Sequence, residues 1–195
     1  MNPSWLRFFV LFELQLIFIK VFWDKLNTSE SRNAQNQELI FSTHRQAKCD
    51  FRHLNLWVDM FRTIASKHKT DKISTHNYQN LYGRYLGPIR FEPLNFLEIG
   101  LGCTMGYGPG KSLLAWREFL PNANISILEY DGVCAEKFRH KVEHLFIGDQ
   151  SNFKVLENIG TTAGPFDFIV DDGGHSRLQQ VSNFIYLNFT LFEGS

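Results

Sequence analysis

Short apolar runs alternate with segments of helical periodicity along the second half of the chain. Each run is followed by a predicted helix, at about residues 110–119, 132–142, 151–160 and 176–192. The runs, typical of buried strands, are residues 94–100 (LNFLEIG), 125–131 (ISILEYD), 144–149 (HLFIGD) and 166–174 (FDFIVDDGG). Four strand–helix repeats predict a parallel, three-layer α/β sheet.

The first half of the chain has a different pattern. Residues 51–68 carry apolar side chains at helical spacing, and a second short helix is predicted over residues 76–85, before Gly87 and Pro88. Residues 26–50 are polar and are typical of a linker. We therefore divide the chain into an N-terminal segment (1–25), a linker (26–50) and a globular domain (51–195).

The N-terminal segment contains the only long apolar run, residues 6–23 (LRFFVLFELQLIFIKVFW). Glu13 near its centre costs about 2.5–3.5 kcal/mol on insertion, so a membrane-spanning helix is only marginally favourable. Glu13, Lys20 and Asp24 fall on one helical face, which also suits a helix lying in the membrane interface, and a cleaved signal peptide is a third alternative. We expect membrane association through residues 5–23, with a signal-anchor helix slightly favoured.

Such a segment predicts a single-pass protein of the secretory pathway. Asn27-Thr28-Ser29 is a glycosylation sequon that would be used only if it faces a secretory lumen. Arg7 on one side and Lys20 and Lys25 on the other give no clear charge bias, so orientation stays open.

Charge and cysteine content exclude some classes of function. The chain has 20 basic and 20 acidic residues with no basic segment, which argues against nucleic acid as a partner. Cys49, Cys103 and Cys134 have neither the spacing of a metal site nor that of a disulfide framework, and we expect buried or incidental thiols.

Acidic residues end all four predicted strands. Because the carboxyl ends of parallel strands meet at one edge, these side chains should lie near each other at the place where such sheets bind ligands. Helix capping explains a single acid, such as Asp149 ahead of Ser151, but not the whole set. The set is Glu98, Glu129, Asp131, Asp149, Asp171 and Asp172.

The glycine-rich stretch LEIGLGCTMGYGPGKSLLAW (97–116) narrows the choice of ligand. Its Gly-Lys-Ser ending lacks a glycine at the spacing of a P-loop, and Met105 stands where a dinucleotide-binding turn needs its third glycine. Glu98 would repel a pyrophosphate but attract a cation. S-adenosylmethionine is cationic and phosphate-free, and Glu129 at the second strand end could accept from its ribose hydroxyls.

Seven blocks together resemble the class I S-adenosylmethionine-dependent methyltransferases related to macrolide-sugar O-methyltransferases, and most closely a fungal branch with hydrophobic N-termini. The resemblance covers about residues 57–193. The blocks are TDK (70–72), HNY (76–78), LEIGLGC (97–103), YGPGKSLLAW (107–116), LEYD (128–131), GDQ (148–150) and DDGGH (171–175).

The resemblance implies a Rossmann-like sheet with helices on both faces and strand order 3-2-1-4, preceded by the N-terminal hydrophobic helix. It implies a role for each matching residue. Gly100 and Gly102 let the backbone approach the methionine part, Glu98 lies near the ammonium and Glu129 binds the ribose. Asp149 and Gln150 bind the adenine edge, Asp171 is a further cofactor-binding position, Asp172 binds Mg²⁺ and His175 is the general base.

The chain departs from the family pattern at two places. Lys69 stands before the TDK block, where the relatives usually have glycine. The chain also stops at Ser195, where the family continues into a fifth strand that completes the metal site and then the remaining strands. We therefore expect an incomplete sheet with an exposed fourth strand and poor Mg²⁺ affinity.

Two hypotheses of function follow. The first is a truncated, weakly active or inactive product of a lineage that O-methylates a sugar or small-molecule hydroxyl with S-adenosylmethionine and possibly Mg²⁺. The alternative is a non-catalytic, membrane-tethered interaction protein on a degenerate methyltransferase fold. The acceptor molecule is not identifiable from the sequence.

Overall fold

The computed structural model describes residues 7–12, 15–20, 54–74, 77–174, 176–179 and 182. Contacts divide the chain into two compact units. The described part of the first comprises residues 54–74 and 77–90, and that of the second comprises residues 7–12, 15–20, 91–174, 176–179 and 182.

The first unit is helical. Helix α1 spans residues 54–68, helix α2 spans Gln79–Leu86, and single 3-10 turns occupy Asp71–Ile73 and Gly87–Ile89. The rings of Phe61 and Tyr82 lie 5.2 Å apart in the interface between the two helices. Both helices predicted for this region are confirmed, with the second beginning slightly later than expected.

Lys69 links α1 to the first 3-10 turn in an unusual conformation. Its φ is +57°, in the left-handed region that non-glycine residues seldom occupy. The Lys69 N–H donates to Ser66 O at 3.1 Å and the Thr70 N–H to Ala65 O at 3.2 Å, which closes the end of the helix. This backbone conformation favours glycine, which explains why the relatives usually have glycine at this position. This chain has a lysine there instead.

The second unit contains the predicted parallel sheet. Strand β3 pairs with β4 on one side and with β6 on the other, and β4 pairs with β5. The parallel part therefore runs β5-β4-β3-β6, which confirms the predicted order 3-2-1-4. The strands are β3 (Asn95–Ile99), β4 (Asn124–Glu129), β5 (His144–Ile147) and β6 (Phe168–Asp171).

Helices pack on both faces of this sheet, as predicted. Side chains alternate between the two faces of a strand. On one face, Phe96 of β3 contacts Trp116 of α3, with ring centroids 5.1 Å apart. On the other face, Leu97 and Ile99 of β3 belong to the buried cluster that includes Leu156 of α5. The helices are α3 (Lys111–Phe119), α4 (Gly132–Ala135, continued by a 3-10 helix over Glu136–Lys141) and α5 (Phe153–Ala163).

Two helices differ from the prediction. The segment 132–142 is α-helical for a single turn and 3-10 thereafter, so its helix is shorter than the pattern indicated. Of the helix predicted over residues 176–192, the described part is helical at residues 177–179 and 182, and the rest lies outside the described residues.

The described residues of the N-terminal apolar segment form two β-strands, and the helix predicted for residues 1–25 is wrong over this described part. Strands β1 (Arg7–Phe12) and β2 (Gln15–Lys20) pair antiparallel, and β2 pairs antiparallel with β6 through Ile17 and Val170. The physical reason is composition, because aromatic and β-branched residues favour strands wherever a sheet edge can pair with them.

The pairing of β2 with β6 also corrects the expectation of an unpaired fourth strand. The expected free edge of β6 is occupied by β2, so the six strands of the described residues run in the order β1-β2-β6-β3-β4-β5. Within the part of the chain that the structure describes, no helix combines the length and hydropathy that crossing a bilayer requires.

The strand ends meet at one edge, as the parallel arrangement demands. The Gly100 N–H donates to Leu128 O at 2.8 Å, and the Asp172 N–H donates to Ile99 O at 2.9 Å. The residues that follow β3, β4 and β6 therefore lie side by side, and this edge is where the predicted site residues come together.

Candidate cofactor site

The glycine loop, residues 100–110 between β3 and α3, passes close to the end of β6. Gly100 has a φ of +94°, and a Cβ atom there would lie 2.4 Å from Asp172 O. Gly102 also has a positive φ, of 78°. Only glycine fits at position 100, because both the backbone conformation and the neighbouring carbonyl exclude a side chain.

Glu129, the last residue of β4, fastens this loop to the neighbouring strand. Its Oε2 accepts from the Leu101 N–H at 2.8 Å. Its Oε1 accepts from the N–H groups of Tyr130 at 2.8 Å and Asp131 at 3.0 Å. The carboxylate is buried but lies at the ligand edge, and three backbone donors orient it.

Glu98 lies deeper than the sequence suggested. It is within β3, its side chain is fully buried, and its Oε2 accepts from Ser112 Oγ at 3.0 Å. Ser112 belongs to the first turn of α3, so this bond joins the strand to the helix that follows the glycine loop. The serine of the Gly-Lys-Ser ending thus has a protein partner, which agrees with rejecting a P-loop.

Asp149, just after β5, binds the next turn of the chain. Its Oδ1 accepts from both the N–H and the Oγ of Ser151 at 2.8 Å. These two bonds, with a further one from the Gln179 side chain, hold the pKa of Asp149 below its ordinary value despite partial burial. The helix-capping role considered for Asp149 is not observed, because the N-cap of α5 is Asn152, whose side chain accepts from the Lys154 N–H at 3.0 Å. The predicted contact of Asp149 with adenine stays a prediction.

Gln150 connects the end of β5 to the loop after β6. Its Oε1 accepts from the Gly174 N–H at 2.6 Å, and its Nε2 lies 3.3 Å from Asp171 Oδ1. Asp171 Oδ1 also accepts from the Gly173 N–H at 3.2 Å. Gln150 and Asp171 are both buried, and their observed role is to shape the loop of residues 171–174, which we call the DDGG loop. Their contacts with the cofactor remain predictions.

The predicted metal and base positions are only partly described. Asp172 follows β6 and is half-buried at the ligand edge, whereas His175 lies outside the described residues. In the described ranges, no three His, Cys, Asp or Glu side chains converge as metal ligands. Asp172 would supply one of the several oxygen ligands that Mg²⁺ takes, and this role stays a prediction.

Cys103 and Cys134 form a disulfide, so the expectation of incidental thiols is wrong for these two residues. Their Cα atoms are 6.0 Å apart, within the range of natural disulfides. Cys103 lies in the glycine loop after β3, and Cys134 lies in α4 after β4. Each cysteine follows the end of one of two neighbouring strands by a few residues, and this matching offset was the signal available in the sequence. Cys49 lies outside the described residues.

Exposed apolar side chains surround the acidic edge, and sequence reasoning missed them. Tyr130 is 76% exposed although it directly follows the buried Glu129, and Val133 of α4 is 81% exposed. Further exposed members are Met105, Tyr107, Ile147 and Phe153. They give the edge apolar surface beside its carboxylates, which suits a ligand with an aromatic ring and hydroxyl groups.

Comparison with curated proteins identifies relatives of this chain. It is 31% identical over 127 residues to 8-demethyl-8-alpha-L-rhamnosyl tetracenomycin-C 2'-O-methyltransferase of Streptomyces olivaceus, covering 62% of this chain and 32% of that protein. It is 30% identical over 130 residues to mycinamicin VI 2''-O-methyltransferase of Micromonospora griseorubida, covering 64% and 31%. The relatives of this chain are sugar O-methyltransferases. No protein-family model matches the chain.

Solved structures agree with these relatives. The MycE methyltransferase from the mycinamycin biosynthetic pathway, in complex with Mg and SAH, superposes with a TM-score of 0.60 at 27% identity. The match covers 67% of this chain and 36% of MycE. The complex of MycE with Mg, SAH and mycinamycin VI matches at a TM-score of 0.59 and 28% identity.

The resemblance to macrolide-sugar O-methyltransferases is thereby confirmed, as is the methyltransferase-type sheet. The chain spans about a third of the length of the curated relatives it matches. The fungal branch stays a prediction.

Proposed function

We propose that this chain binds S-adenosylmethionine at the edge formed by Gly100, Glu129 and Asp172, and that its lineage methylates a hydroxyl of a sugar or small molecule. The observation that carries the proposal is the hydrogen bond from the Leu101 N–H to the Glu129 carboxylate. Three N–H donors orient this carboxylate, and it lies beside a turn in which position 100 accepts only glycine. The activities for which the relatives are named and the SAH bound to MycE support the choice of ligand and acceptor class.

The described residues fit the nucleoside part of this cofactor. A carboxylate has about four acceptor positions, and three of those of Glu129 are taken, so one position is open to a ribose hydroxyl. Exposed Tyr130 next to it offers an aromatic face for a planar base. The backbone at Gly100 and Gly102 can approach the amino-acid part closely.

When bound, S-adenosylmethionine supplies an electrophilic methyl group on a positively charged sulfur. The acceptor hydroxyl must lose its proton as its oxygen takes that methyl, and the predicted base is His175. The protein's part is to hold the nucleoside on Glu129 and to keep the DDGG loop in place through Gln150. Asp172 would hold Mg²⁺ as one of its oxygen ligands, and the ion would lower the pKa of the acceptor hydroxyl.

Membrane association through residues 5–23 and a secretory-pathway location remain predictions from composition. A location in an oxidising compartment would suit the Cys103–Cys134 disulfide. Glycosylation of Asn27 in cells, detected as a mass shift removed by a glycosidase, supports this location, and an unmodified Asn27 in a secreted reporter fusion opposes it.

Calorimetric titration with S-adenosylhomocysteine tests the cofactor proposal. Glu129→Gln places an amide donor against the Leu101 N–H or its neighbours, so we expect affinity to fall about tenfold to a hundredfold. Glu136→Gln is the matched control, because Glu136 is exposed and takes no part in the hydrogen bonds between Glu129 and the glycine loop. Its carboxylate pairs with the Arg139 side chain at a distance of 2.7 Å.

The outcomes separate the two functional hypotheses. Binding by the wild type and by Glu136→Gln, with weakened binding by Glu129→Gln, supports the methyltransferase lineage. Absence of heat with both S-adenosylhomocysteine and S-adenosylmethionine, on protein shown to be folded, refutes it and favours the non-catalytic interaction protein.

A further inference from the structure

The Cys103–Cys134 disulfide lies at the edge where the proposed cofactor would bind. Cys103 directly follows Gly102 in the glycine loop, and Cys134 lies in the helix that begins after Asp131. The bond spans 31 residues and so joins the loops that follow two neighbouring parallel strands. Any ligand held between Gly100 and Glu129 contacts segments that this bond holds together.

The hydrogen bonds inside the loop do not replace this link. The Met105 N–H donates to Gly102 O at 3.1 Å, and the Gly108 N–H donates to Met105 O at 2.9 Å. Both bonds shape the turn itself. The hydrogen bond from the Leu101 N–H to Glu129 is made two residues before Cys103. From Cys103 onward, the disulfide is the covalent link between the glycine loop and α4.

The disulfide is also within reach of small thiols. Both cysteines are partly exposed, and the loop residues 104–107 after Cys103 are exposed. Cys134 belongs to a single helical turn whose N-terminus is capped by Asp131, which accepts from the Cys134 N–H at 3.0 Å. The structure around the bond therefore leaves room for thiol–disulfide exchange, which needs access to a sulfur atom.

We propose that Cys103 and Cys134 are a redox pair that controls the affinity of this edge for its S-adenosyl ligand. In the oxidised protein the glycine loop is held against α4 in the binding arrangement. In the reduced protein the loop samples more conformations, and binding must order it again. The inference rests on the proposed cofactor function.

The exchange is balanced with glutathione as the partner. A glutathione thiolate attacks one sulfur of the disulfide and releases the other cysteine as a thiolate, which takes a proton. A second glutathione thiolate attacks the glutathione sulfur of the mixed disulfide, which forms glutathione disulfide and releases the remaining cysteine as a thiolate that also takes a proton. The protein gains two electrons and two protons as two thiols, and two glutathione molecules become one glutathione disulfide.

Three measurements on the full chain test the inference. Peptide mass spectrometry without reductant, after equilibration with glutathione disulfide, should find residues 103 and 134 in one linked peptide. Calorimetry should show that reduction weakens S-adenosylhomocysteine binding about fivefold or more. Because coupling is reciprocal, saturating S-adenosylhomocysteine should make the disulfide harder to reduce by the same factor in glutathione buffers.

The controls keep the inference separate from the proposed function. Cys103→Ser with Cys134→Ser should bind as the reduced wild type does, whatever the buffer. Cys49→Ser should retain the full redox response. Equal affinity in both redox states, or no linked peptide, overturns the inference and leaves the cofactor proposal intact. Absence of binding in both states overturns the cofactor proposal itself, and the inference with it.

Discussion

The carboxylate of Glu129 accepts a 2.8 Å hydrogen bond from the Leu101 N–H, across the gap between two neighbouring strands. This bond joins the end of β4 to the glycine loop after β3. It fixes a buried carboxylate at the ligand edge relative to the backbone that would contact the ligand, so the proposed binding of a cofactor at this edge depends on it.

Gly100→Ala should lower the free energy of unfolding by about 2–4 kcal/mol, since it combines backbone strain with a clash against Asp172 O. Gly108→Ala separates these causes. Gly108 also has a positive φ, of 87°, but nothing lies within 4 Å of an added Cβ, so about 1–2 kcal/mol is expected.

Gly106→Ala is the control for both variants in urea unfolding. It has open space and no left-handed φ, so stability should be unchanged or raised by up to about 1 kcal/mol. Equal effects of the substitutions at positions 100 and 108 would show that the approach to Asp172 is unimportant.

Lys69→Gly should stabilise the protein by up to about 1 kcal/mol. It removes the strain of a lysine at φ +57°, which exceeds the entropic cost of glycine. Lys67→Gly, within α1, should instead destabilise by about 1 kcal/mol, because that residue is helical. Thermal unfolding compares the two variants, and a loss of stability with Lys69→Gly contradicts the observed backbone.

Asp149→Asn should change how stability depends on pH. The folded-state pKa of Asp149 is lowered by Ser151 and Gln179, so its ionised form stabilises the fold above the ordinary carboxyl pKa of about 3.9. That contribution is lost as pH falls through the lower folded-state pKa.

Urea unfolding from pH 6 to pH 2.5 measures this effect. The stability difference between wild type and Asp149→Asn should shrink in the acid part of the range. Ser151→Ala removes one of the two donated bonds and should give a smaller difference with the same trend. A difference that stays constant throughout the range argues against a lowered pKa.

Ile17→Pro should expose the edge of β6. Proline removes a backbone N–H from the strand that pairs with both β1 and β6. Amide exchange at Ile169 and Val170 should rise about fivefold or more, since one hydrogen bond contributes about 1 kcal/mol net.

Ile17→Val keeps the N–H and the branched side chain, so its exchange should match the wild type. Light scattering should also rise in the proline variant, because a free strand edge promotes association. Unchanged exchange in β6 would show that β2 does not cover this edge in solution.

The sequence was sufficient for the parallel sheet because the runs that form its central strands β3 and β6 are almost entirely buried and its strand ends carry recognisable polar residues. Phe96 to Ile99 illustrates this, since all four side chains are buried as the continuous run predicted. The acids at or just after the ends of β4, β5 and β6 lie at the edge as expected, whereas Glu98 lies within β3 and is fully buried. Their partners were not predictable, because the donors to Glu129 and Asp149 are mostly backbone groups whose positions depend on the turns.

The N-terminal strands and the disulfide required tertiary information. An apolar run of aromatic and branched residues suits a membrane helix or a strand equally, and the edge of β6 decides between them. Likewise, Cys103 and Cys134 each follow a strand by a few residues, and this offset predicts a disulfide only once the two strands are known to be neighbours. The hydrogen bond between Glu98 and Ser112 was likewise not predictable from the sequence, and the predicted position of Glu98 near the cofactor ammonium stays a prediction.

The central claim is that an S-adenosyl ligand binds at the edge between the glycine loop and Glu129. The most direct measurement is the change in backbone amide NMR signals on titration with S-adenosylhomocysteine. We predict saturable shifts concentrated at Leu101, Gly102, Tyr130 and Gly173, and absent from helix α1. Shifts confined to residues 54–90, or none at all at millimolar ligand, would contradict the account.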